Sequence, residues 1–373
     1  MATVASHIKS FHLPYLKLLK DNGYKTYVAA NWNLDKKEEL TCCDEFIQIP
    51  IQRSPYSLKN VSAIKQLKKI INEEKIDIIH CHTPMGAVVT RLASIRARKK
   101  YGTRVIYTAH GFHFYKGAPK KNWLLFYPIE WFLSKYTDTL ITINQEDYKR
   151  AQEKFGRRCK DIEYVPGVGI DINKFNIKMT KQEKKKYRES LGLNEKDFVL
   201  ICVGRLDRNK NQGFLINVTE ELIKSHPNVH LLLAGRDELH GYYQNLVKEK
   251  QLENNVHFLG NRNDIPQLMH ISDVAVSASK REGLPVNVIE AFASGLPVVA
   301  LNCRGMSDLV EDGKNGYVVN FSEKQEIAEK IDKLINNDDL YNAIKKNNRD
   351  KSRNYNIEKI VEQVRHLYFD EVE

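Results

Sequence analysis

The stretch Arg281–Ala300 reads REGLPVNVIEAFASGLPVVA, and the expected fold is built outward from it. Gly283 and Pro285 break the chain after Glu282, so a helix starts near Val286. Glu290 follows one turn into that helix, at a spacing of eight from Glu282. Gly295 and Pro297 stop the helix, and Val298-Val299-Ala300 is an apolar run of the kind that forms a buried strand. The open N-terminus of a helix offers unpaired N–H groups and the positive end of a dipole, which suits a phosphate. Carboxylates do not bind phosphate, but they accept hydrogen bonds from hydroxyls on either side of it. A diphosphate with a sugar on each end, a nucleotide sugar, fits this arrangement.

Composition bounds the rest. A chain of 373 residues is too long for one ordinary core, so two domains are expected. No apolar run is long enough to span a bilayer, and Met1–His12 lacks the pattern of a signal peptide. The six cysteines show no C-x-x-C spacing, which suggests buried thiols of a cytoplasmic protein rather than disulfides or a metal site. The net charge is +11, and the span Ile78–Ile129 holds no Asp or Glu. Its basic residues are Arg91, Arg96, Arg98, Lys99, Lys100, Arg104, Lys116, Lys120 and Lys121. They read either as a solvated basic face or as a face for anionic lipid or a phosphate-bearing acceptor. No recognition module accompanies the charge, so nucleic acid is not an expected partner.

Strand-like and helix-like segments alternate through residues 1–175, which predicts a parallel sheet covered on both faces. The first strand is expected to be truncated, with a loop at Ser6-His7 and a helix over 11–22. A polar, Lys-rich stretch over 176–196 breaks the pattern and is expected to carry the passage between domains. The alternation then restarts and runs to about 355, and a last amphipathic helix follows from about 357. Two Rossmann-like domains are expected, with ligands at the carboxyl ends of the strands and a cleft between the parallel sheets.

Three further motifs carry chemistry. Gly204-Arg205-Leu206-Asp207-Arg208-Asn209-Lys210 follows an apolar strand, and Arg205 and Lys210 put two cations where a leaving diphosphate gathers charge. Amides around Asn287 and Val288 would face that diphosphate, Glu290 would accept from ribose hydroxyls, and Glu282 from hydroxyls of the transferred sugar. His110, in Thr108-Ala109-His110-Gly111-Phe112-His113, lies at another strand end, where an imidazole can hydrogen-bond a sugar or orient an acceptor. In His80-Cys81-His82 the alternation of a strand sends Cys81 to the opposite face, so a metal is not expected there.

VGRLxxxK, then REGLPVNVIEAFASGLPVVA, then the run from Arg304-Gly305 through DLVEDGKNGYVV resemble the retaining glycosyltransferases of family 4. In the N-terminal half, SHIKSFHLPY, HTPMG, YTAHGFHFYKG and VPGVGID resemble a bacterial capsular and exopolysaccharide subgroup. The resemblance implies an α/β architecture of the GT-B type, with 1–175 as acceptor domain, 176–355 as donor domain and 356–373 as a helix returning to the first. It implies that Arg205 and Lys210 bind the donor diphosphate. Glu282 and the segment Gly283, Leu284, Pro285, Asn287 and Val288 hold the donor sugar and phosphate, and Glu290 holds the ribose. His110 faces the donor sugar, and Arg262 in the loop Gly260–Asn263 is assigned to the donor. Ser6, His7 and His113 are assigned to the first loop and the acceptor. Many family members carry Gly-Gly in the first loop, where this chain has Ser6-His7.

The expected activity is retaining transfer from a nucleotide sugar, a UDP-sugar, to a lipid-linked saccharide. It needs no cofactor and no metal, and the enzyme would sit at the cytoplasmic face, peripheral on an anionic membrane. The aromatic-rich segment Trp123–Leu133, beside Lys120-Lys121, is either a packed helix or an interfacial one. Rival readings are a nucleotide-sugar 2-epimerase, a solute-binding protein and a non-catalytic sugar-nucleotide-binding partner. The paired GRLxxxK and E-x7-E motifs favour the transferase.

Overall fold

Among the residues described by the computed structural model, 1–33, 40, 42–320 and 324–369, every strand pairing is parallel. Parallel strands need crossover helices on both faces, which is why the central strands are apolar throughout rather than alternating. The chain divides into two compact units, Met1–Gly169 with Ile357–Glu373, and Ile170–Asn356. The passage was expected within 176–196; the units divide at Gly169/Ile170, and the chain returns to the first unit at Asn356/Ile357.

In the first unit, β1 (Tyr27–Ala30) pairs with β2 (Glu45–Gln48), and β3 (Ile78–His82), β4 (Arg104–Ala109), β5 (Thr139–Thr142) and β6 (Asp161–Tyr164) form a second sheet in that order. Met1–Val4 is extended between the two. Met1 bonds His80 and His82 on β3, while Ala2 and Thr3 bond Ala29 and Asn31 beside β1. The chain therefore reverses its lateral direction at this segment and β3, and their carboxyl ends bound a crevice. The expected loop at Ser6-His7 is instead a helix, Ala5–Phe11, followed by a second helix, Leu13–Asp21. The break falls at His12, two residues before Pro14, which has no N–H to continue the first helix. The last helices, Ile357–Gln363 and His366–Phe369, bury Ile360, Val364, Leu367 and Tyr368 against Tyr15, Ile106, Ile141 and Val165.

In the second unit, β7 (Phe198–Val203), β8 (Val229–Ala234), β9 (Val256–Gly260), β10 (Val274–Ser277), β11 (Val298–Leu301) and β12 (Gly316–Val319) form one sheet. Its order is β12-β11-β10-β7-β8-β9. The chain leaves β7 first toward β9 and then returns to the other side of β7, so the strand order switches between β7 and β10. Loops at the carboxyl ends of those two strands diverge and leave a crevice. The Lys-rich stretch expected to be a passage contains a helix, Lys181–Glu189, closed by a capping box between Thr180 and Glu183. The T-x-x-E spacing was its signal in the sequence.

The basic span is not one solvated face. Arg91 is buried and its Nη1 lies 2.8 Å from Glu130, Arg98 pairs with Asp138, and Arg104 donates to the Leu367 carbonyl at 2.6 Å. Three of the nine cations thus hold the first unit together. Removing one partner of a buried pair strands the other charge. Glu130→Ala is expected to destabilise the protein by about 3–5 kcal/mol in urea unfolding, whereas Lys99→Ala on the exposed part of the span changes stability by less than about 0.5 kcal/mol.

Candidate functional site

The switch point of the second unit gathers most of the donor-site residues that the sequence singled out. Val203 ends β7, and Gly204 follows with φ +149°, a backbone that side chains rarely adopt. A Cβ there would also lie 3.0 Å from the Lys210 Cε. Asp207 then closes the loop: its Oδ1 accepts from the N–H of Asn209 at 2.9 Å and of Lys210 at 2.7 Å. This turn carries Lys210 back to the strand end. Its Nζ lies 2.8 Å from Glu282 Oε1, on the loop that follows β10. Burial works against the ammonium charge, and the Glu282 carboxylate outweighs it, so the Lys210 pKa is raised. Arg205, 65% exposed, meets Asp207 only at 3.6 Å, and its guanidinium remains open to a ligand.

The loop after β10 is clamped from several sides. The Asn209 side chain donates to the Arg281 carbonyl at 3.0 Å, and Arg304 Nε to the Glu282 carbonyl at 3.0 Å. Gly305 packs so closely that a Cβ there would fall 2.1 Å from the Gly283 carbonyl oxygen. Pro285 caps the helix Val286–Ala293. The Val288 N–H, expected to be available to a ligand, donates to the Pro285 carbonyl at 3.1 Å. The N–H groups of Val286 and Asn287 have no acceptor among the described residues, so the open N–H groups of this helix end lie one residue earlier than the sequence suggested. The Asn287 side chain also donates to the Val203 carbonyl at 2.9 Å and so ties helix to strand. Leu284 is buried and anchors the loop.

Glu290 is half-buried and no hydrogen-bond donor among the described residues faces its carboxyl. Burial raises its pKa to about 7, with Lys210 pulling the other way. A carboxyl left without donors on a fixed helix is ready to accept hydroxyls. Arg262 does not join this group. It lies beyond β9, two strands from β7, and its guanidinium is held by Asp264 with Tyr187 beside it. Asp207, Asn209, Arg304 and Gly305 are the site residues that sequence reasoning missed. Only Asp207 offered a signal, the Asp two and three residues before turn N–H groups.

The first unit has its own cluster at the carboxyl ends of Met1–Val4, β3 and β4. His110 follows β4, and the loop behind it is held by Asp147, which accepts from the Phe112 N–H at 3.0 Å. His7, on the first helix, approaches His110 with Nε2 to Nε2 at 3.3 Å, and His110 Nε2 lies 3.4 Å from His82 Nδ1. His12 stacks on His82 with centroids 3.6 Å apart. Burial is the chief cause that lowers the pKa of all four imidazoles, that of His7 to about 4, and neighbouring positive charge lowers it further. All four are neutral at pH 7. Ser6 turns away and exchanges hydrogen bonds with Asn33 at 3.0 and 2.9 Å. His113 points elsewhere too, with its ring 4.5 Å from that of Phe126. Cys81 is buried in the apolar core on the opposite face of β3 from His80 and His82.

Residues 183–351 match the family described as glycosyl transferases group 1, and residues 2–144 the family described as glycosyl transferase 4-like. A Bacillus subtilis (strain 168) protein that carries a glycosyltransferase name, EpsD, is 40% identical over 98% of this chain and 94% of its own. An Escherichia coli protein, UDP-Gal:alpha-D-GlcNAc-diphosphoundecaprenol alpha-1,3-galactosyltransferase, is 31% identical over 85% of this chain and 83% of its own. Among solved structures, Anabaena Alr3699/HepE in complex with UDP covers 98% of each chain at 23% identity with a TM-score of 0.77. The same protein in complex with UDP-glucose has a TM-score of 0.77 at 22% identity, again covering 98% of each chain. The matched families cover both units, the fold is GT-B, and the chain belongs to the glycosyltransferases of the family 4 type.

Proposed function

We propose that this chain transfers a sugar, with retention of anomeric configuration, from a UDP-sugar to a lipid-linked saccharide on the inner face of the cytoplasmic membrane. One observation carries the donor half of this reading: Lys210 and Glu282 join the loops of β7 and β10 at the switch point, beside the unpaired amides of Val286 and Asn287. Those amides, Lys210 and Arg205 supply positive charge for a diphosphate, and Glu282 and Glu290 flank it as hydroxyl acceptors. The relatives support the choice of donor and acceptor. UDP and UDP-glucose are the ligands named for the Anabaena structures, and the Escherichia coli relative is named for transfer from UDP-galactose to a sugar on diphosphoundecaprenol.

The chemistry follows from the charges. As the anomeric carbon–oxygen bond breaks, charge gathers on the leaving diphosphate, where fixed cations and amides stabilise it most. A phosphate oxygen of the leaving group then takes the acceptor hydroxyl proton on the same face, which preserves configuration without a protein nucleophile. In this reading the two cations and the helix end serve the diphosphate without a metal or other cofactor. His110, neutral at pH 7, is assigned to a hydrogen bond with a sugar hydroxyl.

The helix Lys120–Ser134 supports the membrane half. Leu124 is 82% exposed and Phe132 47%, with Leu125 and Trp131 also exposed. Lys121 and Lys135 bracket this apolar stripe at helical spacing. No described helix is long and apolar enough to cross a membrane.

Four outcomes are expected. Arg205→Ala, at an exposed position, lowers kcat/KM for the UDP-sugar about tenfold to a hundredfold with an unchanged Tm; unchanged kinetics would remove Arg205 from the donor site. Proton NMR of the product before mutarotation shows the donor's anomeric configuration, and an inverted signal rules out retention. Wild type floats with anionic liposomes at low salt and Leu124→Asp/Phe132→Asp does not; no flotation of wild type sinks the membrane assignment. The Glu290 carboxyl has its pKa raised on folding, so its ionisation costs stability as pH rises from about 4.5 through about 7. Glu290→Gln therefore stabilises the protein by about 1–3 kcal/mol at pH 8 and hardly at all at pH 4.

A further inference from the structure

The four imidazoles at the crevice of the first unit are not explained by hydrogen bonding within the protein. His80 sets the contrast. Its Nδ1 meets the Tyr368 hydroxyl at 2.5 Å and its Nε2 the Thr108 hydroxyl at 2.7 Å, so both ring nitrogens are used. His12 is 5% exposed, and neither of its ring nitrogens has a hydrogen-bond partner among the described residues. One ring nitrogen each from His7, His12 and His110 lie within 4.8 Å of one another. The Nε2 atoms of His7 and His110 face each other at 3.3 Å, where a pair of neutral rings shares one hydrogen at most.

We propose that His7, His12 and His110 form a binding site for a zinc-class divalent cation. A tetrahedral zinc ion about 2.0–2.1 Å from each nitrogen holds neighbouring nitrogens about 3.3–3.4 Å apart. The His7–His110 separation already has that value, and the His12 nitrogen lies within 4.8 Å of both, so binding an ion requires the His12 ring to close the remaining distance. Three imidazoles without a carboxylate favour zinc, nickel, cobalt or copper over calcium or magnesium, which require oxygen ligands. His82 backs the set: its ring stacks on His12, and its Nδ1 lies 3.4 Å from His110 Nε2, where it can take the fourth position. A cavity of about 510 Å³ reaches His12 and His82 from one side, and His7 and His110 are themselves only partly buried. The elements that carry these residues are well fixed, since β3 and β4 pair directly and Met1–Val4 bonds to β3 just before the helix that carries His7. The site shares His110 with the proposed transfer reaction, where a bound ion would compete with the sugar hydroxyl for its ring, and it is separate from the diphosphate-binding residues proposed in the other unit.

The test uses the full chain, stripped with chelator and titrated with zinc in a calorimeter and with cobalt in a visible-range spectrometer. Wild type is expected to bind one ion per chain, with the intense d–d bands of tetrahedral cobalt. His12→Ala and His7→Gln are each expected to weaken binding at least about tenfold, and the double variant to lose the cobalt bands. Circular dichroism in chelator checks the fold of each variant. Since His7 is half-exposed, His7→Gln keeps the test decisive should His12→Ala fail to fold. Absence of a stoichiometric ion in wild type overturns the proposal, as does binding that survives in folded His7→Gln and the double variant, which would place the metal on histidines outside the cluster.

Discussion

The contact between Lys210 and Glu282 ties together everything else in the second unit's site. It spans the two loops that the strand order forces apart at the switch between β7 and β10. The half-buried Lys210 ammonium lies 2.8 Å from the Glu282 carboxylate, which outweighs the burial that works against the ammonium charge. The pair also pulls the loop of Gly283 and Pro285 toward β7, and Asn287 fixes the same approach through the Val203 carbonyl. The helix N-terminus is therefore aimed at the strand end before any ligand arrives. A site built in this way spends little on reorganisation, which is the condition for electrostatic stabilisation of a developing charge.

The two units reach their sites by the same topological route with different chemistry. In each, the chain reverses lateral direction beside a central strand, and polar residues collect at the carboxyl ends. The second unit fills its crevice with fixed charges and free amides. The first fills its own with imidazoles that burial keeps uncharged. Neutral lone pairs suit hydroxyls and soft cations, whereas fixed positive charge suits a diphosphate. The two crevices therefore differ in electrostatics rather than in backbone plan.

Much of this was legible along the chain because its signals are local. The helix Val286–Ala293 and the strands β7, β10 and β11 are bounded by glycines, prolines and short apolar runs, and each is decided within about ten residues. Signals that were local but weak were passed over. The capping box at Thr180 and Glu183 starts a helix inside a Lys-rich stretch whose charge density resembled a linker. The helix at Ala5–Phe11 was hidden because Ser6-His7 follows so short an extended segment. The basic span misled for another reason: composition records charge but not direction, and Arg91, Arg98 and Arg104 turn inward to Glu130, Asp138 and a carbonyl.

The sequence by itself determined the alternation of parallel strands and helices and the family, and it singled out Arg205, Lys210, Glu282 and Glu290, which the fold brings to the ends of β7 and β10. Those residues sit on short motifs, and the spacing within each motif is enough to place it at a strand end. Tertiary structure alone decided which amides stay unpaired, that Arg262 is committed to Asp264, and that Arg304 and Gly305 shape the loop after β10. It alone brought His7, His12, His82 and His110 together. They lie on two helical segments and two strand ends up to about a hundred residues apart, and no periodicity within one segment can report a convergence that only the stacking of β3, β4 and the first helices creates.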